Sequence, residues 1–251
     1  VPTTDPAAPK PIWKGYHVYS YPSAPRGGDR VVLVEDFFGW AKTITVADKA
    51  GASKRVRIDP EHRFVDPRLS PGGQYVAVYD RAGPDAPADL MVLDTGSGKE
   101  VFGFHTENQS LGGFLWLDER RLGFVFVPQA AAAGEQHLAV VDVGKQPLSV
   151  EHPFVAKVGE SIQMPSASRD GKQIVYVQGG SAIAVIDTTT WSRKAFPIPG
   201  SAAWPTLSPD GAQVVFESNR GGNTDVAALA LASGELKRLT QGRGDERLPQ
   251  F

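Results

Sequence analysis

Five histidines, His17, His62, His105, His137 and His152, are the side chains best suited to holding a metal or moving a proton. Three share a context: His62 in DPEHRF, His105 in GFHTEN and His152 in VEHPF each follow a strand-like apolar run. Imidazoles gathered at one place ligate transition metals or meet anions. Carboxylates also recur, with Asp48, Asp94, Asp142 and Asp187 closing TITVAD, LMVLD, LAVVD and AVID. General acid–base work needs two carboxyls within about 10 Å of each other. These four are spaced 45 to 48 residues apart in equivalent positions, which suits turn-forming acids better. DTGSGKE, from Asp94 to Glu100, lacks the upstream glycine and the following Ser or Thr of a phosphate loop, since Leu93 and Glu100 stand there.

Composition narrows the classes. The 251 residues are 41% hydrophobic, enough for a large core, and the formal charge of −2 offers no basic field for nucleic acid. With no cysteine, disulfides, thiolate metal sites and a cysteine nucleophile are all excluded. No apolar run approaches the roughly 20 residues of a membrane span. The chain opens VPTTDPAAPKP from Val1 rather than Met. Residues 1–14 are therefore expected to be a flexible Pro/Ala-rich tether on a processed, extracytoplasmic (periplasmic or secreted) protein of bacterial envelope type.

The elements that position the histidines repeat. Ser-Pro-Asp-Gly at Ser208–Gly211 is matched by Ser-Pro-Gly-Gly at Ser70–Gly73 and Ser-Arg-Asp-Gly at Ser168–Gly171. Each leads into an alternating apolar run: YVAVY, IVYV, VVF. The residues before the turn, Leu69, Ala167 and Leu207, form a series with Ala24, Trp116 and Phe251 at steps of 40 to 51 residues. Pro precedes the marker by two at Pro22, Pro67, Pro165, Pro205 and Pro249. Repeats of about 45 residues holding several short strands are the pattern of propeller blades. Within each, an inner strand ends at the marker, the Ser-Pro-Asp-Gly turn leads to strand two, a Gly- or Asn-rich hairpin to strand three, and the Asp-containing turn to an outer strand. The Ala-rich AAAAGE at Ala130–Glu135 falls in a hairpin position. No amphipathic helix is expected.

The stretch Pro205–Val226 resembles the WD40-like repeat of TolB-type β-propellers, and Asp66–Leu93 and Met164–Asp187 match it more loosely. The resemblance covers nearly all the chain after residue 20. It implies an all-β propeller of four-stranded antiparallel blades, with 15–251 as one domain and no room for TolB's own α/β domain. Five blades closed by the termini is the preferred count, with a six-bladed propeller cut at the C-terminus as the alternative. Related blades occur in prolyl-oligopeptidase-like enzymes, where the propeller filters substrates for a hydrolase domain. The Gly-x-Ser-x-Gly elbow of such a domain is missing from this sequence.

In a propeller the linkers carrying His62, His105 and His152 would gather on one face, and related lyases hold metal with such histidines. Their offsets of 7, 11 and 15 residues before the next marker argue against a shared direction. The loop EDFFGWAK sets Phe37, Phe38 and Trp40 at a hairpin tip, for a partner or for packing on the neighbouring blade. The expectation is a non-catalytic propeller binding a protein or peptide partner in the cell envelope through rim loops and channel mouth. The contact candidates are Phe37, Phe38, Trp40, His62, His105 and His152, with no catalytic residue, metal or cofactor. The alternatives are a lyase or hydrolase using the loop histidines, or the regulatory propeller of a larger peptidase.

Overall fold

The computed structural model describes residues 18–246 and 249, apart from 26–27, 38–39, 84–85, 107–109, 130, 132–133, 221 and 242–244. Among these residues the chain is built of strands, in five antiparallel four-stranded sheets with no helix. Blade 1 is β1 (Val18–Ser23), β2 (Arg30–Phe37), β3 (Trp40–Asp48) and β4 (Ser53–Ile58). Blade 2 is β5 (Arg63–Leu69), β6 (Tyr75–Arg81), β7 (Asp89–Asp94) and β8 (Glu100–Phe104). Blade 3 is β9 (Ser110–Trp116), β10 (Arg121–Val127), β11 (Gln136–Asp142) and β12 (Val150–Ala156). Blade 4 is β13 (Ile162–Ala167), β14 (Gln173–Gln178), β15 (Ala182–Asp187) and β16 (Arg193–Pro197). Blade 5 is β17 (Ala202–Leu207), β18 (Gln213–Ser218), β19 (Asp225–Ala230) and β20 (Leu236–Arg238).

Each sheet runs first to fourth strand in chain order, as expected when short hairpins join successive strands. First strands end at or beside the markers read from sequence, and third strands end on Asp48, Asp94, Asp142 and Asp187. The tether at residues 1–14 and the closing residues Leu248 and Phe251 lie outside the described residues.

The turn after the first strand follows from its chemistry. The Ser208 hydroxyl accepts the Gln213 amide at 2.9 Å and donates to Asp210 at 2.5 Å. Ser168 does the same with Gln173 and Asp170, and Ser70 accepts the Tyr75 amide at 3.0 Å. The glycine then adopts φ of +77°, +67° and +69° at Gly73, Gly171 and Gly211, a region open to glycine without penalty. Gly171 also lies so close to its neighbour that a Cβ would sit 1.9 Å from the Leu117 carbonyl oxygen. The third-strand acids behave as turn formers. Asp48 accepts the Ala50 and Ala52 amides, Asp94 that of Ser97, Asp142 that of Gly144, and Asp187 those of Thr189 and Thr190.

The chain forms two compact units, Val1–His105 and Thr106–Phe251. In the first, Val34, Ile44, Phe64, Leu69, Val78 and Leu93 share one buried cluster across blades 1 and 2. In the second, one cluster joins blades 3 and 4 through Leu115, Val125, Leu138, Ile174 and Tyr176. Another joins blades 4 and 5 through Val177, Ile183, Leu207, Val214 and Phe216. The middle strands carry near-continuous apolar runs rather than alternation, and β6, β10, β14 and β18 are buried over most of their length. Burying each large side chain is worth about 1.5–3 kcal/mol. Within each unit the first strands pack side by side, β1 on β5 in the first and β13 on both β9 and β17 in the second.

Candidate functional site

The first strands share an irregularity that re-aims side chains along them. Pairing with the second strand slips by a residue between Val65 and Arg68, Gln163 and Ser166, and Ala203 and Thr206. A residue just before proline lies inside each bulge: Asp66, Met164 and Trp204, at φ of +52°, +50° and +49°. The residue before proline normally stays extended, and a bulky side chain in the left-handed region is a genuine outlier. Bulges of this kind re-aim a side chain, and strained backbone concentrates at functional sites. The prolines themselves, Pro67, Pro165 and Pro205, are buried.

In the second unit the bulges make an apolar site. Met164 is 38% exposed and Trp204 46%, among the few large apolar side chains left open to solvent. They are adjacent, with the Trp204 amide 3.3 Å from Met164 Sδ. Blade 3 has Gly113 at the matching position, where an added Cβ would fall 2.6 Å from Pro165 Cδ. The wall is thus two large side chains beside a position kept bare. In the first unit the equivalent residue is acidic, and Asp66 holds Arg68 at 2.8 Å.

Within each unit the histidines pair with nearby groups. His62 donates Nδ1 to, or accepts a shared proton from, both Asp80 oxygens at 2.8 and 2.9 Å, and His105 Nδ1 lies 2.9 Å from Asp89. Asp80 and Asp89 face each other across the β6–β7 pair, so the two imidazoles flank a carboxylate pair at one end of blade 2. Burial pushes the Asp80 carboxyl up, against the pull of His62. His152 belongs to the other unit, on β12, where its ring packs edge-on at 5.7 Å from His137 and 5.4 Å from Phe126. Among the described residues no group of three or more His, Asp or Glu side chains is arranged to hold a metal ion. Phe38 lies outside the described residues. Phe37 and Trp40 are described as backbone only and pair across the β2–β3 turn.

The left-handed Met164 and Trp204 were not among the residues singled out from sequence. The available signal was the recurring proline two residues before each marker, which fixes where the bulge falls.

Comparison with known proteins follows from this geometry. No family profile and no curated protein matches the sequence. Among solved structures, TolB from Acinetobacter baumannii superposes with a TM-score of 0.62 at 18% identity, over 98% of this chain and 60% of that one. The fold is that of a TolB-like β-propeller. A manganese-bound oligogalacturonate lyase superposes on this TolB-like chain with a TM-score of 0.70 at 15% identity, over 92% of it and 67% of the lyase. A puromycin-hydrolysing peptidase from Mycobacterium tuberculosis gives 0.65 at 19% identity, over 92% of it but 39% of the peptidase. A TolB-like propeller therefore stands among both TolB and enzymes, and the fold alone assigns no activity.

Proposed function

We propose that this chain is a non-catalytic, extracytoplasmic propeller that binds a peptide segment of a protein partner. The carrying observation is the Met164–Trp204 pair: two large apolar side chains, exposed and adjacent, on backbone held in a strained conformation. Exposed Trp on a rigid strand costs little entropy on binding and dominates interface energetics. The Pro/Ala-rich composition of the N-terminal residues, that of a flexible tether, supports an extracytoplasmic setting. Selection from a displayed heptapeptide library tests the reading. Peptides recovered on the native protein should bind Trp204→Ala at least roughly thirtyfold more weakly, the scale of a 2 kcal/mol hot spot. Equal binding by the variant would sink it.

A second reading, catalysis at blade 2, draws on the two histidine–carboxylate pairs, since an acid on Nδ1 is how a general base is oriented. Formation of unsaturated product from an oligogalacturonate, lost in His62→Ala, would favour it.

A further inference from the structure

We propose that a cavity at the end of blade 5 is a subsite for an acidic side chain of the bound peptide. This rests on the peptide-binding reading and adds to it a charge and a register. The cavity is about 250 Å³ and is lined by Ser218, Arg220, Asp225, Ala227, Leu236 and Arg238. Ser218 ends β18, Asp225 begins β19 and Arg238 ends β20, while Ala202 at the start of β17 pairs with Ser218. The cavity and Trp204 therefore share one end of one blade.

The two guanidinium groups differ in their commitments. Arg238 Nε donates to the Thr240 carbonyl at 2.9 Å, and the same guanidinium forms an ion pair with Asp225. Arg220 is tied only through its backbone amide, to Ser218 Oγ at 3.4 Å, and its guanidinium has no partner among the described residues. The lining holds two cations against one carboxylate, and the nearby Glu246 and Asp245 are engaged by the Thr240 hydroxyl and the Thr224 amide. A planar guanidinium fork matches a carboxylate bidentately. By contrast, the cations of the cavity between blades 1 and 2 are already spent, Arg30 on the Gly73 carbonyl and Lys54 on that of Gly96.

Asp225 says more about the ligand. It is only 2% exposed; Oδ2 is held by Arg238, while Oδ1 accepts no hydrogen bond among the described residues. A buried acceptor left unused is costly, and a ligand N–H would satisfy it. The cavity thus calls for a carboxylate and an N–H donor together. An Asp or Glu residue of a peptide has both, whereas acetate or phosphate brings only the anion. Ala227 and Leu236 offer apolar contact for its methylene groups.

Strands lie about 4.8 Å apart, so β17 is about 12 Å from the β19–β20 gap, or about four residues of extended chain. An apolar residue at Trp204 would then be followed about four positions on by an acid.

The test is the same heptapeptide selection, run on native protein and on Arg220→Glu. Arg220 is exposed, so the variant should keep the native melting temperature. Native-selected peptides should carry Asp or Glu about four positions from an apolar residue. Replacing that acid by Asn in a synthetic, fluorescein-labelled binder should weaken binding roughly tenfold or more. Arg220→Glu should weaken it at least as much, and Arg220→Lys should restore part. Peptides without acidic preference, or an Asn version that binds equally, overturn the subsite and leave the Trp204 reading standing. Displacement of the probe by acetate or phosphate at matched concentration overturns the requirement for an N–H donor. If no peptide is selected, both readings fall. If acidic peptides bind Trp204→Ala unchanged, the Trp204 reading and the four-residue register fall and the acidic subsite stands.

Discussion

At positions 66, 164 and 204 the backbone opposes the side chain it carries. Left-handed φ costs a non-glycine residue about 1–2 kcal/mol, so the usual order of small residues in a strand should invert there. Trp204→Gly should be more stable than Trp204→Ala by about 1 kcal/mol in chemical denaturation, and Met164→Gly than Met164→Ala likewise. A second single-residue prediction separates two glycines of the same turn. Gly171→Ala drives a Cβ into the Leu117 backbone carbonyl, while Gly211→Ala meets the side-chain oxygen of Gln173, which can rotate away. Both have positive φ. Gly171→Ala should therefore cost at least about 2 kcal/mol more than Gly211→Ala when melting curves are compared.

At the level of elements, the end of blade 2 is stabilised by charge placement. The facing Asp80 and Asp89 are each answered by a histidine, and like charges opposite each other on a sheet are unfavourable. His62→Ala should lose about 1–2 kcal/mol at pH 7, and Asp80→Asn on that background should recover part of it by thermal denaturation. Strand order, marker positions and the acid-capped turns were legible because each is written locally: Ser and Asp hydroxyl or carboxyl chemistry, a glycine, and short apolar runs. The bulge was not. Sequence reads Trp204-Pro205 as an extended dipeptide, and only pairing of β17 with β18 reveals the extra residue that turns Trp204 over. His62 and His105 lie in linkers, whereas His152 falls inside β12, and a linker's chemistry does not say which carboxylate will capture an imidazole. Asp80 and Asp89, the residues that decide it, sit on a hairpin 16 or more residues from their partners.

At the scale of the whole molecule, repetition makes the acid response collective. Asp94 is held below the usual carboxylate range chiefly by the Ser97 hydroxyl, Asp170 by that of Ser168, and Asp210 by that of Ser208. Asp187 is lowered chiefly by the Thr190 amide. Each is more acidic folded than unfolded, so its contribution is present above about pH 4 and disappears as pH falls through the folded value. Melting temperature should hold from pH 7 to about pH 5 and fall steeply below pH 4. Replacing Asp94, Asp170, Asp187 and Asp210 together by Asn should lower it at pH 7 and flatten that acid slope.

The bulge before proline has one more consequence. Its backbone is set by the buried proline and the strand slip, so the side chain it presents is not asked to fill the core. The chain places Asp66, Met164 and Trp204 in that register: a charge, a thioether and an indole. The fold behaves there like a keyboard with fixed keys and interchangeable letters. New ligand preferences could be written one substitution at a time, without renegotiating the blades beneath.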